Sequence, residues 1–149
     1  MSKPGPFSIE WPPLADEGVR LFNTGDYHRC HDAFEDIWVE SGGDQKVYYQ
    51  GLIQTAVAYH KIRTRVFSGA KALFERGMEK LERTRHLVTP VRTDLFLHAA
   101  RENYQKMLDL GEAGLDRFDE STFPQIHYIE GYEPQPPPDP SWLDRHVRH

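Results

Sequence analysis

His31 and Glu35 stand one helical turn apart, and Gln50 and Gln54 repeat that spacing, so each pair shares one face of a helix. His60 lies beyond them on the second segment. Neutral imidazole and carboxylate are ordinary ligands for zinc, iron or manganese, and facing helices are a usual place to build such a site. On that reading His31, Glu35 and His60 form a metal set, and Gln50 and Gln54 complete a wider polar cluster. No cofactor is assigned, and a divalent metal is the group these residues could hold. On the other reading the same side chains hydrogen-bond across a helix interface and fix its register in the core. A turn of about 120° around the axis separates His60 from Gln54, so a site of His31, Glu35 and one glutamine is geometrically easier than one using all.

Several chemistries lack their residues. There is no His-Glu-x-x-His motif, no set of Glu-x-x-His pairs, no Gly-rich phosphate loop, no nucleophile elbow and no Cys-His arrangement. Cys30 is the only cysteine, which rules out an intramolecular disulfide and a Cys-rich zinc site. It reads as a small core hydrophobe. Two basic runs, Lys61, Arg63 and Arg65, then Lys80, Arg83, Arg85 and His86, sit near helix ends, where they read as complementing the helix dipole on a solvated face, with an anionic-ligand or RNA patch as the alternative that the acidic total weakens. His146 and His149 belong to a terminus expected to fray.

The elements that must position the cluster follow from periodicity. Residues 1–13 carry four prolines and read as an extended arm, with Phe7, Ile9 and Trp11 alternating toward the body. Leu14, Gly18, Leu21 and Phe22 begin a helix that Gly25 ends, and Asp26 caps the next. The second helix runs from about Tyr27 to Glu40, with Cys30, Phe34, Ile37 and Trp38 inside. A third, almost without a charged face and therefore central, ends near Arg63. A fourth spans about Ser68 to Arg85 and a fifth about Thr93 to Leu110. The fold class is all-α, a bundle of about five helices between extended arms, with residues 14–122 as the single helical domain.

Tyr27, Cys30, Phe34, Glu35 and Trp38 align with Phe67, Ala70, Phe74, Glu75 and Met78 at a constant shift of forty positions. Two similar helical hairpins side by side are expected. They look tetratricopeptide-like, without the period of about 34 or the roughly three copies of a true array. Residues 123–149 read as a proline-rich, mostly extended tail. Phe123, Ile126, Tyr128, Ile129, Tyr132 and Trp142 give it too much apolar surface for a free linker, so it should wrap the body or a neighbouring subunit.

The combination Gly-x-Tyr at 25–27, His31-x-x-x-Glu35-x-x-Trp38, Gln50-Gly51-x-x-Gln54 and Gly69-Ala70 resembles the domain-of-unknown-function 309 family over about residues 14–85. The resemblance implies a small all-α fold of helical hairpins and brings no established reaction. Members usually carry a Gly-Asn-like turn before the fourth helix, where this chain has Arg65-Val66.

The chain has 149 residues, a net charge of −5 and 38% hydrophobic content, which fits one domain and disfavours broad nucleic-acid or anionic-membrane binding. The start lacks a signal-peptide core and no stretch approaches the roughly 18 apolar residues of a membrane span. A soluble, cytoplasmic protein is expected, with a homodimer or a protein partner but no membrane. The favoured function is a non-catalytic scaffold or interaction module with a buried structural His/Glu/Gln cluster. The alternative is a metal- or small-polar-ligand-binding protein, a hydrolase among the options, using His31, Glu35 and Gln54 or His60. A weak nucleic-acid binder ranks third.

Overall fold

The computed structural model describes residues 7–136. Its α-helices are α1 (Pro13–Asn23), α2 (Tyr27–Trp38), α3 (Gly43–Arg63), α4 (Phe67–Arg83) and α5 (Thr93–Leu110), followed by two 3₁₀ turns, Glu112–Arg117 and Glu120–Thr122. The described residues contain no strand, only one isolated bridge between Val91 and Tyr128. The protein is an all-α bundle in which consecutive helices pack on one another. No described helix is long and apolar enough to cross a membrane. Ser141, Trp142, His146 and His149 lie outside the described residues, as do the first six residues of the arm.

Local chemistry sets the helix ends. Pro13 opens α1, where its missing N–H costs nothing. The Asp26 side chain caps α2 by accepting from the Arg29 amide at 3.2 Å. After α1 the amides of Gly25 and Asp26 return to the carbonyls of Phe22 and Leu21. After α3 the amides of Arg65 and Val66 return in the same pattern to Ile62 and Lys61. Both are Schellman turns, and each needs a left-handed residue. Gly25 supplies it at φ +83 in one, and Arg65 adopts φ +65 in the other. The departure from Gly-Asn thus leaves the turn geometry intact and puts strain on Arg65. The forty-residue repeat extends to the turns themselves.

α3 is the central helix. Its tyrosines carry apolar bodies inward and hydroxyls outward to three separate segments. Tyr48 shares a 2.8 Å hydrogen bond with Thr93, Tyr49 donates to the Glu10 carbonyl at 2.6 Å, and Tyr59 donates to Asn103 at 2.7 Å. α3 and α4 cross with their backbones nearly touching. A methyl group at Gly77 would lie 2.4 Å from Thr55 Oγ1 and 3.0 Å from the Gly51 carbonyl, so only glycine allows this approach. Gly51 of the Gln-Gly-x-x-Gln segment is therefore a packing residue.

Both arms close over α1. Asp16, fully buried, accepts from Trp11 Nε1 and Tyr128 Oη on one oxygen and from Tyr132 Oη and the Gln135 amide on the other, each at 2.8 Å. Asn23 holds Ile126 at both its amide, 2.7 Å, and its carbonyl, 3.0 Å. The Arg92 amide donates to His127 O and the Ile129 amide to Pro90 O. Residues 123–136 thus lie on their own helical body.

Candidate functional site at the seam of α2 and α3

The inner stripe of α2 is Tyr27, Cys30, Ala33, Phe34 and Ile37, all buried. His31 and Glu35 each follow a stripe residue by one position, a rotation of about 100° that carries them from the core to its edge. The side chain of His31 keeps 28% of its surface exposed and that of Glu35 48%. Gln50, Gln54 and His60 are half-buried. The expectation of a buried cluster is therefore corrected: none of the five is a core residue. Nor does any hydrogen bond join Gln50 or Gln54 to His31 or Glu35 among the described residues, so the cluster does not lock helix register in the way expected.

What α2 brings together is a line on one flank. His28, His31, Asp32 and Glu35 have the i, i+3, i+4, i+7 spacing of a single helical face. His31 Nδ1 lies 3.1 Å from Asp32 Oδ1, and His31 Nε2 lies 3.7 Å from Glu35 Oε2. His31, Asp32 and Glu35 each offer a ligand atom within 4.8 Å of the others. His60 stands apart from that trio on α3, joined to it through His28: ring centroids are 6.4 Å apart for His28 and His60, and 6.3 Å for His28 and His31. Gln50 lies farther along α3 and touches none of them by hydrogen bond.

The helix register can be read from two contacts. His28 faces His60 at one end, and Lys46 Nζ sits 4.3 Å over the Trp38 ring at the other. Between them, an antiparallel pair sets Asp32 level with Gln54. Asp32 Oδ2 and Gln54 Oε1 are both buried acceptors with no hydrogen-bond partner, as is the donor Trp38 Nε1 on the same seam. Such orphans are rare in folded proteins and mark a place where something else supplies the partner.

The electrostatics differ along the seam. Burial is the largest influence on His60 and lowers its pKa, and the nearby His28, Lys61 and Arg63 lower it further. Burial raises Tyr27 to about 12 although Arg63, stacked 4.7 Å from its ring, pulls the other way. Cys30 is fully buried and burial pushes its thiol upward, which makes it an unreactive core group.

Residues 15–73, from α1 through the first turns of α4, match the family model described as Domain of unknown function (DUF309). This region is similar to DUF309 domains. An uncharacterized protein of Aquifex aeolicus (strain VF5) is 35% identical over 51 residues, a stretch that makes up 34% of this chain and 15% of that protein. The chain thus spans about 15% of the length of that relative. The DUF309 match includes the whole α2 flank and its α3 partners, while α5, the 3₁₀ turns and the tail lie outside it.

Sequence reasoning missed Asp32, His28 and Asp16. The first two were readable, since they continue the spacing of His31 and Glu35 along one face. Asp16 was not: in sequence it is one more acid in the first turn of a helix, and its partners Tyr128, Tyr132 and Gln135 come from the far end of the chain.

Proposed function

We propose that the DUF309-like region of this chain binds a divalent transition-metal ion on the α2 flank, with His31, Asp32 and Glu35 as the protein ligands. The observation that carries this reading is the convergence of one imidazole and two carboxylates within 4.8 Å on a partly open helix face. Nitrogen and oxygen donors together suit zinc, manganese or iron better than magnesium or calcium, which prefer all-oxygen shells. The unpartnered oxygens of Asp32 and Gln54 support it, because a cation or its bound water satisfies two acceptors that have no donor of their own. The flank leaves coordination positions open to solvent, so the site is of the ligand-accepting kind rather than the closed structural kind. No reaction is assigned.

The scaffold reading, which rests on packing signals throughout the chain and the lack of a complete catalytic set, loses only its register-fixing cluster, since the polar residues do not bond across the core. The test is elemental analysis of full-length protein purified without an affinity tag, alongside His31→Ala. Stoichiometric metal in the parent, absent from the variant, supports the reading. No metal in either, after growth with zinc, manganese and iron supplements, contradicts it.

A further inference from the structure

We propose that the cleft between the start of α2 and the end of α3 receives a small soluble anion, a carboxylate or a phosphate. It holds about 290 Å³ and is lined by Tyr27, His28, His31, Val57, His60 and Lys61. Three histidines and a lysine line one space, and no acidic residue is among its walls. The Lys61 side chain makes no hydrogen bond or ion pair among the described residues, whereas its neighbours are engaged: Arg63 donates to Gly25 O at 2.7 Å and reaches Glu120 at 3.5 Å, and Arg29 pairs with Asp26 at 2.6 Å. Lys61 is thus the cation left to meet a guest. His60, which has no hydrogen bond from its ring among the described residues, can turn an N–H toward the same guest, and Tyr27 and Val57 give the cleft an apolar wall that limits hydration.

The second hairpin shows what the position looks like when it is closed. At the shift of forty, His31 and Glu35 correspond to Lys71 and Glu75, and there Lys71 Nζ bonds Glu75 at 2.8 Å while Tyr104 of α5 donates to the same carboxylate. That repeat fills its flank with a fixed ion pair and a covering helix. The first repeat keeps imidazoles and no covering helix.

Charge argues for a small anion over a nucleic-acid strand. With a net charge of −5, the chain as a whole repels a polyanion, while a single local cluster attracts one compact charge. The proposal does not need the metal, although His31 borders both sites.

The experiment titrates inorganic phosphate and, separately, succinate into tag-free, chelator-treated full-length protein. It follows the imidazole C–H resonances of the histidines by NMR, with affinity from calorimetry. The expected result is saturable shifts of His28, His31 and His60 together. Lys61→Ala and His60→Gln should each weaken binding more than tenfold, Lys61→Arg should preserve it, and Glu35→Gln should leave it unchanged while abolishing metal uptake. Three results overturn the proposal: no histidine shift with either anion at millimolar concentration, affinity unchanged in Lys61→Ala, or binding of a short single-stranded oligonucleotide that free phosphate and succinate neither match nor displace. Retained anion binding without any metal uptake would contradict the metal reading alone.

Discussion

Tyr128 Oη donates to Asp16 Oδ1 at 2.8 Å, joining residues 112 positions apart in the chain. Asp16 is where both arms meet the helical body. Each of its oxygens faces one group that can rotate, a tyrosine hydroxyl, and one N–H that only donates, Trp11 Nε1 or the Gln135 amide. An amide in place of the carboxylate must therefore point an NH₂ at a fixed N–H in either orientation. Asp16→Asn is expected to destabilise by about 1–3 kcal/mol and Asp16→Ala by about 3 kcal/mol or more, since several buried donors lose their partner. Urea denaturation gives these values. Hydrogen exchange at the Gln135 amide should accelerate in both variants, and unchanged protection there would refute the latch.

The same latch sets an alkaline limit. Burial, and then the bond to Asp16, raise the pKa of Tyr128 and Tyr132 well above the ordinary tyrosine value. A group whose pKa is raised in the folded state contributes its stability in full below the unfolded value, about 10, and loses it as pH climbs toward the folded one. Thermal midpoints should be level with respect to these two groups up to about pH 10 and fall above it. Replacing both tyrosines by phenylalanine lowers the plateau and flattens the alkaline fall.

Arg65 pays a backbone cost in a turn whose counterpart uses Gly25. Arg65→Gly is expected to raise stability by about 1 kcal/mol, through relief of the left-handed conformation offset partly by glycine's extra unfolded freedom. The reverse test, Gly25→Ala, should lower stability by a similar amount. Equal and negligible effects would mean that the two turns do not share one geometry in solution.

Gly77 admits no side chain. Gly77→Ala should cost about 3 kcal/mol because the clash is with Thr55 and with the Gly51 backbone, neither of which can swing away. Calorimetric unfolding measures it, and a loss below about 0.5 kcal/mol would show that the α3–α4 crossing is looser than described.

The all-α bundle was legible because its determinants are local. α5 ends where Thr93 and Leu110 predicted, and the shift of forty anticipated that Phe34 and Phe74, Cys30 and Ala70 would be buried alike. The site was half legible. Spacing placed His31 and Glu35 on one face, but periodicity gives angles within a helix and not the position of the neighbouring helix. One step of about 100° past Cys30 and Phe34 was enough to move that face from the core to the seam. The near absence of charge on α3 reinforced the error: the helix is central, yet Gln50, Gln54 and His60 are not among its buried residues. Asp16 was illegible for a different reason, since its meaning lies wholly in contacts made across the length of the chain.

The metal claim is tested most directly by titrating Co²⁺ into tag-free, chelator-treated protein, with parent, His31→Ala and Glu35→Ala compared by visible absorption and by urea midpoint. Because His31 and Glu35 lie at the edge of the core, both variants should unfold within about 0.5 kcal/mol of the parent. The parent should bind one equivalent of Co²⁺ with a ligand-field spectrum that both variants lose. A parent that binds no Co²⁺, or variants that bind it as the parent does, would contradict the assignment of the α2 flank as a metal site.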